Sequence, residues 1–130
     1  MTVIVDASVL VNVLLGRCAP EARRALLSGD AHAPELLDAE VLSAIVRSAR
    51  AGVVTDSRAE RMLRALATAP VVRVPHRGLV RDAWRLRSNV SPYDALYVAL
   101  AARLECPLLT ADRRLAAAPG LGISVTVVPS

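Results

Sequence analysis

Four carboxylates stand where an acid is conspicuous. Asp6 ends the apolar run Thr2-Val3-Ile4-Val5. Asp94 lies in Ser91-Pro92-Tyr93-Asp94-Ala95-Leu96-Tyr97-Val98, at the start of an apolar stretch, and Asp112 follows Leu108-Leu109-Thr110-Ala111. Glu40 joins them through helical periodicity. At about 100° per residue from Leu36 it falls near 40°, inside the arc that holds Leu37 and Ala44. A lone carboxylate on an apolar arc is costly unless it is paired or bound to a metal. Two carboxylates about 4 Å apart repel by roughly 4 kcal/mol at an effective dielectric near 20. Mg²⁺ or Mn²⁺, hard cations that take oxygen ligands, would relieve that repulsion. Such a cation also meets substrate phosphate and acidifies a water for attack at phosphorus. The set therefore points to metal-assisted phosphodiester hydrolysis, with no covalent enzyme intermediate.

Each acid also has a purely structural reading. Asp6 is of the residue type favoured as a helix N-cap. Glu40 could form an ion pair with an arginine. Ser91-Pro92-Tyr93-Asp94 matches a capping box with proline at the first helical position. Thr110-Ala111-Asp112 has a similar form. These readings account for the acids one by one but not for the set. Asp6 and Asp112 both follow apolar strands, Asp94 starts the most apolar helix, and Glu40 faces inward.

The elements that must position them can be read in order. Thr2–Val5 is a continuously apolar β-branched run, as in a parallel strand buried on both faces. Helices are expected over about 7–15 and from Pro20 to Leu27, then a short strand at Ala31-His32-Ala33. Pro34 opens a helix from about Glu35 to Ala51. An amphipathic helix follows from Asp56 to Thr68, with Ala59, Met62, Leu63, Leu66 and Ala67 inward. Val71–Val74 is a strand. Gly78–Arg87 reads as a helix with Leu79, Val80, Ala83 and Leu86 inward. Its outer face carries Arg77, Arg81, Trp84 and Arg85, an arginine ladder beside an indole that could grip a phosphate backbone. Pro92–Leu104 is a central helix, Cys106–Thr110 a strand, Asp112–Ala117 a short helix and Ser124–Val128 a last strand. Strands alternating with helices mean a parallel sheet covered on both sides, and 130 residues make one domain, 1–130. In such sheets ligands gather at the carboxyl ends of the strands.

Composition removes several classes of chemistry. All 16 basic residues are arginine, with no lysine. A P-loop and a Schiff-base nucleophile, both of which need lysine, are excluded. Cys18, Cys106, His32 and His76 are isolated in sequence, so a zinc site, which wants tight pairs of ligands, is not expected. Free thiols fit a reducing cytoplasm. Mean hydropathy is high at +0.42. No uncharged apolar run reaches the roughly 18 residues of a membrane span, and no basic residue precedes the first apolar run as in a signal peptide. The net charge of +4 permits a nucleic-acid partner without requiring one.

Val5-Asp6-Ala7-Ser8, Pro34-Glu35-Leu36-Leu37-Asp38-Ala39-Glu40-Val41, Tyr93-Asp94-Ala95 and Leu109-Thr110-Ala111-Asp112-Arg113-Arg114-Leu115 together resemble the PIN domain. More narrowly, they are similar to the VapC toxins of bacterial type II toxin–antitoxin systems. The resemblance runs in order and spacing over nearly the whole chain. It implies a PIN-like three-layer α/β/α fold with a central parallel sheet, and a Mg²⁺-dependent endoribonuclease, Mn²⁺ being the other cation suited to the site. It also implies a cognate VapB-type antitoxin whose tail blocks the site, and a homodimer. By match Asp6, Glu40, Asp94 and Asp112 are the catalytic acids, Asp6 and Asp94 the principal metal ligands, and Ser8 and Thr110 supporting hydroxyls. RNA contacts are assigned to Arg77, Arg81 and Arg85. In one place the chain departs from its relatives. They often carry Ala-Leu-Arg after the second-motif glutamate, whereas Ala44-Ile45-Val46-Arg47 holds the arginine one place later.

Other readings compete. Receiver-type phosphoacceptors and haloacid dehalogenases also set an aspartate after a first strand, but both use a lysine near it. A flap nuclease would need an insertion to clamp the flap, and the chain has none. A PIN-like fold kept for binding, without catalysis, is the remaining alternative.

Overall fold

The structure is a computed structural model and describes residues 1–129. Five short strands, β1 (Val3–Val5), β2 (Ala31–Pro34), β3 (Val72–Val74), β4 (Leu108–Thr110) and β5 (Val125–Val127), form one sheet. Every pairing is parallel, in the order β3-β2-β1-β4-β5. Parallel neighbours cannot be joined by tight turns, so helices carry each crossover. These are α1 (Ala7–Leu14), α2 (Pro20–Ser28), α3 (Leu36–Arg50), α4 (Asp56–Thr68), α5 (Val80–Arg85), α6 (Pro92–Leu104) and α7 (Arg113–Ala117). The result is the expected three-layer α/β/α architecture.

The strand order has a functional consequence. The chain leaves β1, builds outward through β2 to β3, then returns to the other side of β1 for β4 and β5. That reversal falls between β1 and β4. In open parallel sheets the crevice outside the carboxyl ends of the strands at such a switch point is where ligands bind. Ile4 pairs with Leu108 and Val5 with Leu109. The next residues along, Asp6 and Thr110, therefore sit side by side at the crevice.

The central strands are apolar because both faces are covered. Ile4, Val5, Leu108 and Leu109 are all buried, as are the seven consecutive α6 residues Ala95–Ala101. The central place expected for α6 is thus observed. On α3 the buried stripe is Leu37, Val41 and Ile45, at helical spacing.

Three local expectations are corrected. Pro34 closes β2 rather than opening α3. It pairs with Val74 at the strand end, where its missing N–H costs no ladder bond. The stretch 78–87 is not one helix. A 3₁₀ turn at His76–Gly78 precedes α5, and the change of pitch rotates the helical phase. Leu79 is buried as expected, but Val80, expected inward, is 51% exposed. On α4 the buried face is Ala59, Met62 and Leu66, and Ala67 is exposed at the helix end.

Two contacts fix α3 at the top of the sheet. Arg73 on β3 donates to Asp38 from Nη2 at 3.0 Å and to the carbonyls of Leu66, Ala69 and Val71 at 2.7–2.9 Å. His76 Nε2 accepts the Leu36 N–H at 2.8 Å, doing for α3 what an N-cap side chain does. Glu40 lies just over one turn further along that helix.

Candidate active site

Asp6 is the one acid buried among the described residues, and hydrogen bonds hold both of its oxygens. Its Oδ1 accepts Ser8 Oγ–H at 2.5 Å and the Val9 N–H at 3.2 Å. Its Oδ2 accepts the Thr110 hydroxyl. The N-cap and functional readings of Asp6 therefore coexist, with Oδ1 capping α1. Both hydroxyls are themselves anchored to the β4–α7 connection. Ser8 Oγ accepts from the Ala111 N–H at 2.9 Å and Thr110 Oγ1 from the Asp112 N–H at 3.0 Å. Their oxygens are 3.5 Å apart, each with its proton on Asp6. Burial pushes the Asp6 carboxyl above the usual aspartate range. The three hydrogen bonds pull it back, and the charge of Asp94 adds to the rise.

Glu40 is half-buried on α3. The arginine ion pair considered for it is absent among the described residues, where its hydrogen-bond partner is Tyr97. The Tyr97 hydroxyl donates to Oε1 at 2.8 Å. Burial raises the Glu40 carboxyl, the tyrosine lowers it, and the charges of Asp94 and Asp6 raise it further. Tyr97 is pushed far up by burial and then by the Glu40 charge, so it stays a donor at every working pH.

Asp94 stands in the first turn of α6. Its own N–H is capped by Ser91 Oγ at 3.2 Å. The return bond of a capping box, from the Ser91 N–H to the carboxylate, is not made among the described residues. Burial raises this carboxyl most, Ser91 lowers it, and the charges of Asp112 and Arg114 raise and lower it respectively. Asp112 caps α7, accepting the Arg114 N–H at 2.9 Å, and Arg114 Nε lies 3.8 Å from it.

Asp6, Glu40 and Asp94 thus lie within electrostatic reach of one another and Asp112 within reach of Asp94, with Ser8 and Thr110 bonded to Asp6. Among the described residues they do not close into a cage of three or more ligands tight enough to enclose a metal ion. Arg77, Arg81 and Arg85 are exposed on the 3₁₀ turn and α5. Arg85 pairs with Asp82 at 2.9 Å. Their segment meets the far half of α6, where Arg103 reaches Gly78 and the groove between is lined by Val98, Ala99 and Ala102. Tyr97 is the site residue that sequence reasoning passed over. A hydroxyl one turn beyond Asp94, in a helix otherwise apolar, was the available signal.

The PIN domain family model matches residues 3–121. Ribonuclease VapC1 of Mycobacterium tuberculosis is 44% identical over 128 residues, spanning 96% of each chain. Ribonuclease VapC9 of the same species is 40% identical over 130 residues, spanning 98% of each. Among solved structures, VapBC2 from Rickettsia felis, bound to a DNA fragment from its promoter, superposes with a TM-score of 0.72 over 98% of this chain and 99% of that one. At 11% identity that likeness concerns the fold alone. PAE2754 from Pyrobaculum aerophilum gives a TM-score of 0.66 at 25% identity, over 90% of this chain and 84% of that one.

Proposed function

This chain belongs to the PIN domain family, among its VapC-type ribonucleases, and from that premise we propose that it is a metal-dependent endoribonuclease toxin acting through Asp6, Glu40, Asp94 and Asp112. The observation that carries the reading is the Asp6 carboxylate. It is buried at the β1/β4 switch point and clamped by two hydroxyls, and that burial raises it, with the charge of Asp94 adding a smaller push.

The donors suit Mg²⁺, or Mn²⁺ in its place. Mg²⁺ usually keeps several waters and takes one or two protein carboxylates together with substrate phosphate, not a closed protein cage. Asp6 and Asp94 would hold the ion. Asp6 Oδ1 already accepts two protons, whereas Oδ2 accepts one and keeps acceptor capacity. When bound, the ion acidifies a water for attack on phosphorus and stabilises the departing oxygen.

The chain's own residues supply orientation and a proton acceptor. Ser8 and Thr110 hold the Asp6 carboxylate in one rotamer. Tyr97 occupies Glu40 Oε1, and no group among the described residues bonds to Oε2. That oxygen is available to take a proton from the attacking water. Asp112, tied to the Arg114 N–H, completes the negative field. Arg77, Arg81 and Arg85 would contact the RNA backbone away from the acids.

By family, we assign a VapB-type antitoxin whose tail covers the acids, a homodimeric assembly, a cytoplasmic location and one working domain over 1–130. Among the described residues no helix is long and apolar enough to cross a membrane.

End-mapping of total bacterial RNA tests the reading. Purified, partner-free protein is incubated with Mg²⁺, with EDTA, and as Asp94→Asn in Mg²⁺. Discrete cuts that need both Mg²⁺ and Asp94 are expected. Cuts that persist in EDTA or in the variant would remove these acids from the mechanism; no cuts in any lane would leave a target missing from that RNA pool or a binding module, which titration with Mg²⁺ then separates.

A further inference from the structure

Glu40 borders a second space. A hollow of about 340 Å³ lies beside it, lined by Leu36, Ala39, Glu40, Ser43, Arg47 and Tyr93. Tyr93 directly precedes Asp94 and is 62% exposed. The other large exposed ring, Trp84, is covered by the Arg87 guanidinium at 4.3 Å from its centroid. No such cation covers Tyr93 among the described residues. Arg47 donates to Ser43 Oγ at 2.8 Å and has no carboxylate partner among the described residues. An uncovered aromatic ring, a small apolar floor and an unneutralised guanidinium thus share one hollow with a proposed catalytic acid.

That combination matches what an unstacked nucleotide needs. Single-stranded bases are held by stacking on aromatic side chains, and the flanking phosphate by a cation. The acids also create a need for it. A polyanion approaching four carboxylates is repelled unless positive charge stands close by, and Arg47 supplies charge on the Glu40 side. We propose that Tyr93 and Arg47 form a subsite for the nucleotide adjoining the scissile phosphate of single-stranded RNA. The base stacks on Tyr93 and its phosphate pairs with Arg47. Both are positioning residues, which set the register of the strand over the acids. The proposal rests on the nuclease reading above.

The test separates binding from cleavage. A short fluorescein-labelled single-stranded RNA of mixed sequence is titrated in EDTA and followed by anisotropy. Wild type is compared with Tyr93→Ala, Tyr93→Phe, Arg47→Ala and Arg47→Lys. Cleavage kinetics in Mg²⁺ follow, and thermal melts confirm folding. Tyr93→Ala should weaken binding by roughly tenfold, whereas Tyr93→Phe, which keeps the ring, should stay within about twofold. Arg47→Ala should flatten the slope of log Kd against log salt by about 0.7, and Arg47→Lys should restore it. In kinetics KM should rise with kcat little changed. Wild-type affinity in Tyr93→Ala, or an equal loss in Tyr93→Phe, would overturn the subsite. Wild type that binds through Tyr93 yet cuts no RNA in Mg²⁺ would keep the stacking contact with single-stranded RNA but overturn the nuclease reading and, with it, the placement beside a scissile phosphate. Wild type that neither binds nor cuts would overturn both.

Discussion

The Tyr97 hydroxyl donates to Glu40 Oε1 at 2.8 Å across 57 positions of sequence. This bond joins α6 to α3 and is the main force holding the Glu40 carboxyl down against burial and its acidic neighbours. Tyr97→Phe keeps the ring and removes the donor. The Glu40 carboxyl should rise further, and the acid limb of the pH–rate profile should move to higher pH. Glu40 is half-exposed, so the stability loss should be modest, about 1 kcal/mol. Denaturant melts and a pH–rate series check both. An unmoved acid limb would argue that Glu40 does not titrate in the reaction.

Burial and mutual repulsion raise Asp6, Glu40 and Asp94 above their ordinary values of 3.8, 4.5 and 3.8. Folded, such groups bind more protons than unfolded, so their contribution to stability falls as pH climbs from those values through the raised ones. In metal-free protein, Asp94→Asn should therefore stabilise the fold at pH 7.5, by a few tenths to about 1 kcal/mol for a half-exposed group. The gain should shrink toward pH 4. Mg²⁺ should raise the wild-type Tm at pH 7.5 and not at pH 4, because ligands must be deprotonated to bind. An equal rise at both pH values would count against a carboxylate site.

Thr110 is fully buried and serves two partners, donating to Asp6 Oδ2 and accepting the Asp112 N–H. Thr110→Val keeps the shape but leaves both unsatisfied. A loss of about 2–3 kcal/mol is expected, with a weaker response of Tm to Mg²⁺. Thr110→Ser should recover most of both. If valine matches the wild type in calorimetric melts with and without Mg²⁺, the hydroxyl does not hold Asp6.

Glu105 ends α6 in the left-handed region, at φ 51° and ψ 51°. A side chain there costs about 1 kcal/mol that glycine does not incur. Glu105→Gly should raise Tm by several degrees and leave RNA cleavage unchanged, since this end of α6 is a helix length from Asp94. A lower Tm would show that the Glu105 side chain makes a compensating contribution.

Much of the fold was legible in the sequence because it depends on local signals. The β-branched run before Asp6 and the Ser91-Pro92 cap of α6 each act over a few residues. The order of strands and helices followed from them. Where the reading slipped, at Pro34, Val80 and Ala67, the cause was an element boundary, and helical phase depends on where a helix starts.

The acids were visible by type and placement, and the sequence by itself determined that four carboxylates end or begin the most apolar elements. Only the tertiary structure decided who holds them. Thr110 reaches Asp6 across 104 positions, Tyr97 meets Glu40, and His76 caps α3 across 40 positions, because β4 lies beside β1 and α6 lies against α3. Periodicity reports which face of an element is buried, but not against which partner. Strand order is settled by packing the whole sheet at once, and it is strand order that places Asp6 and Thr110 at one crevice.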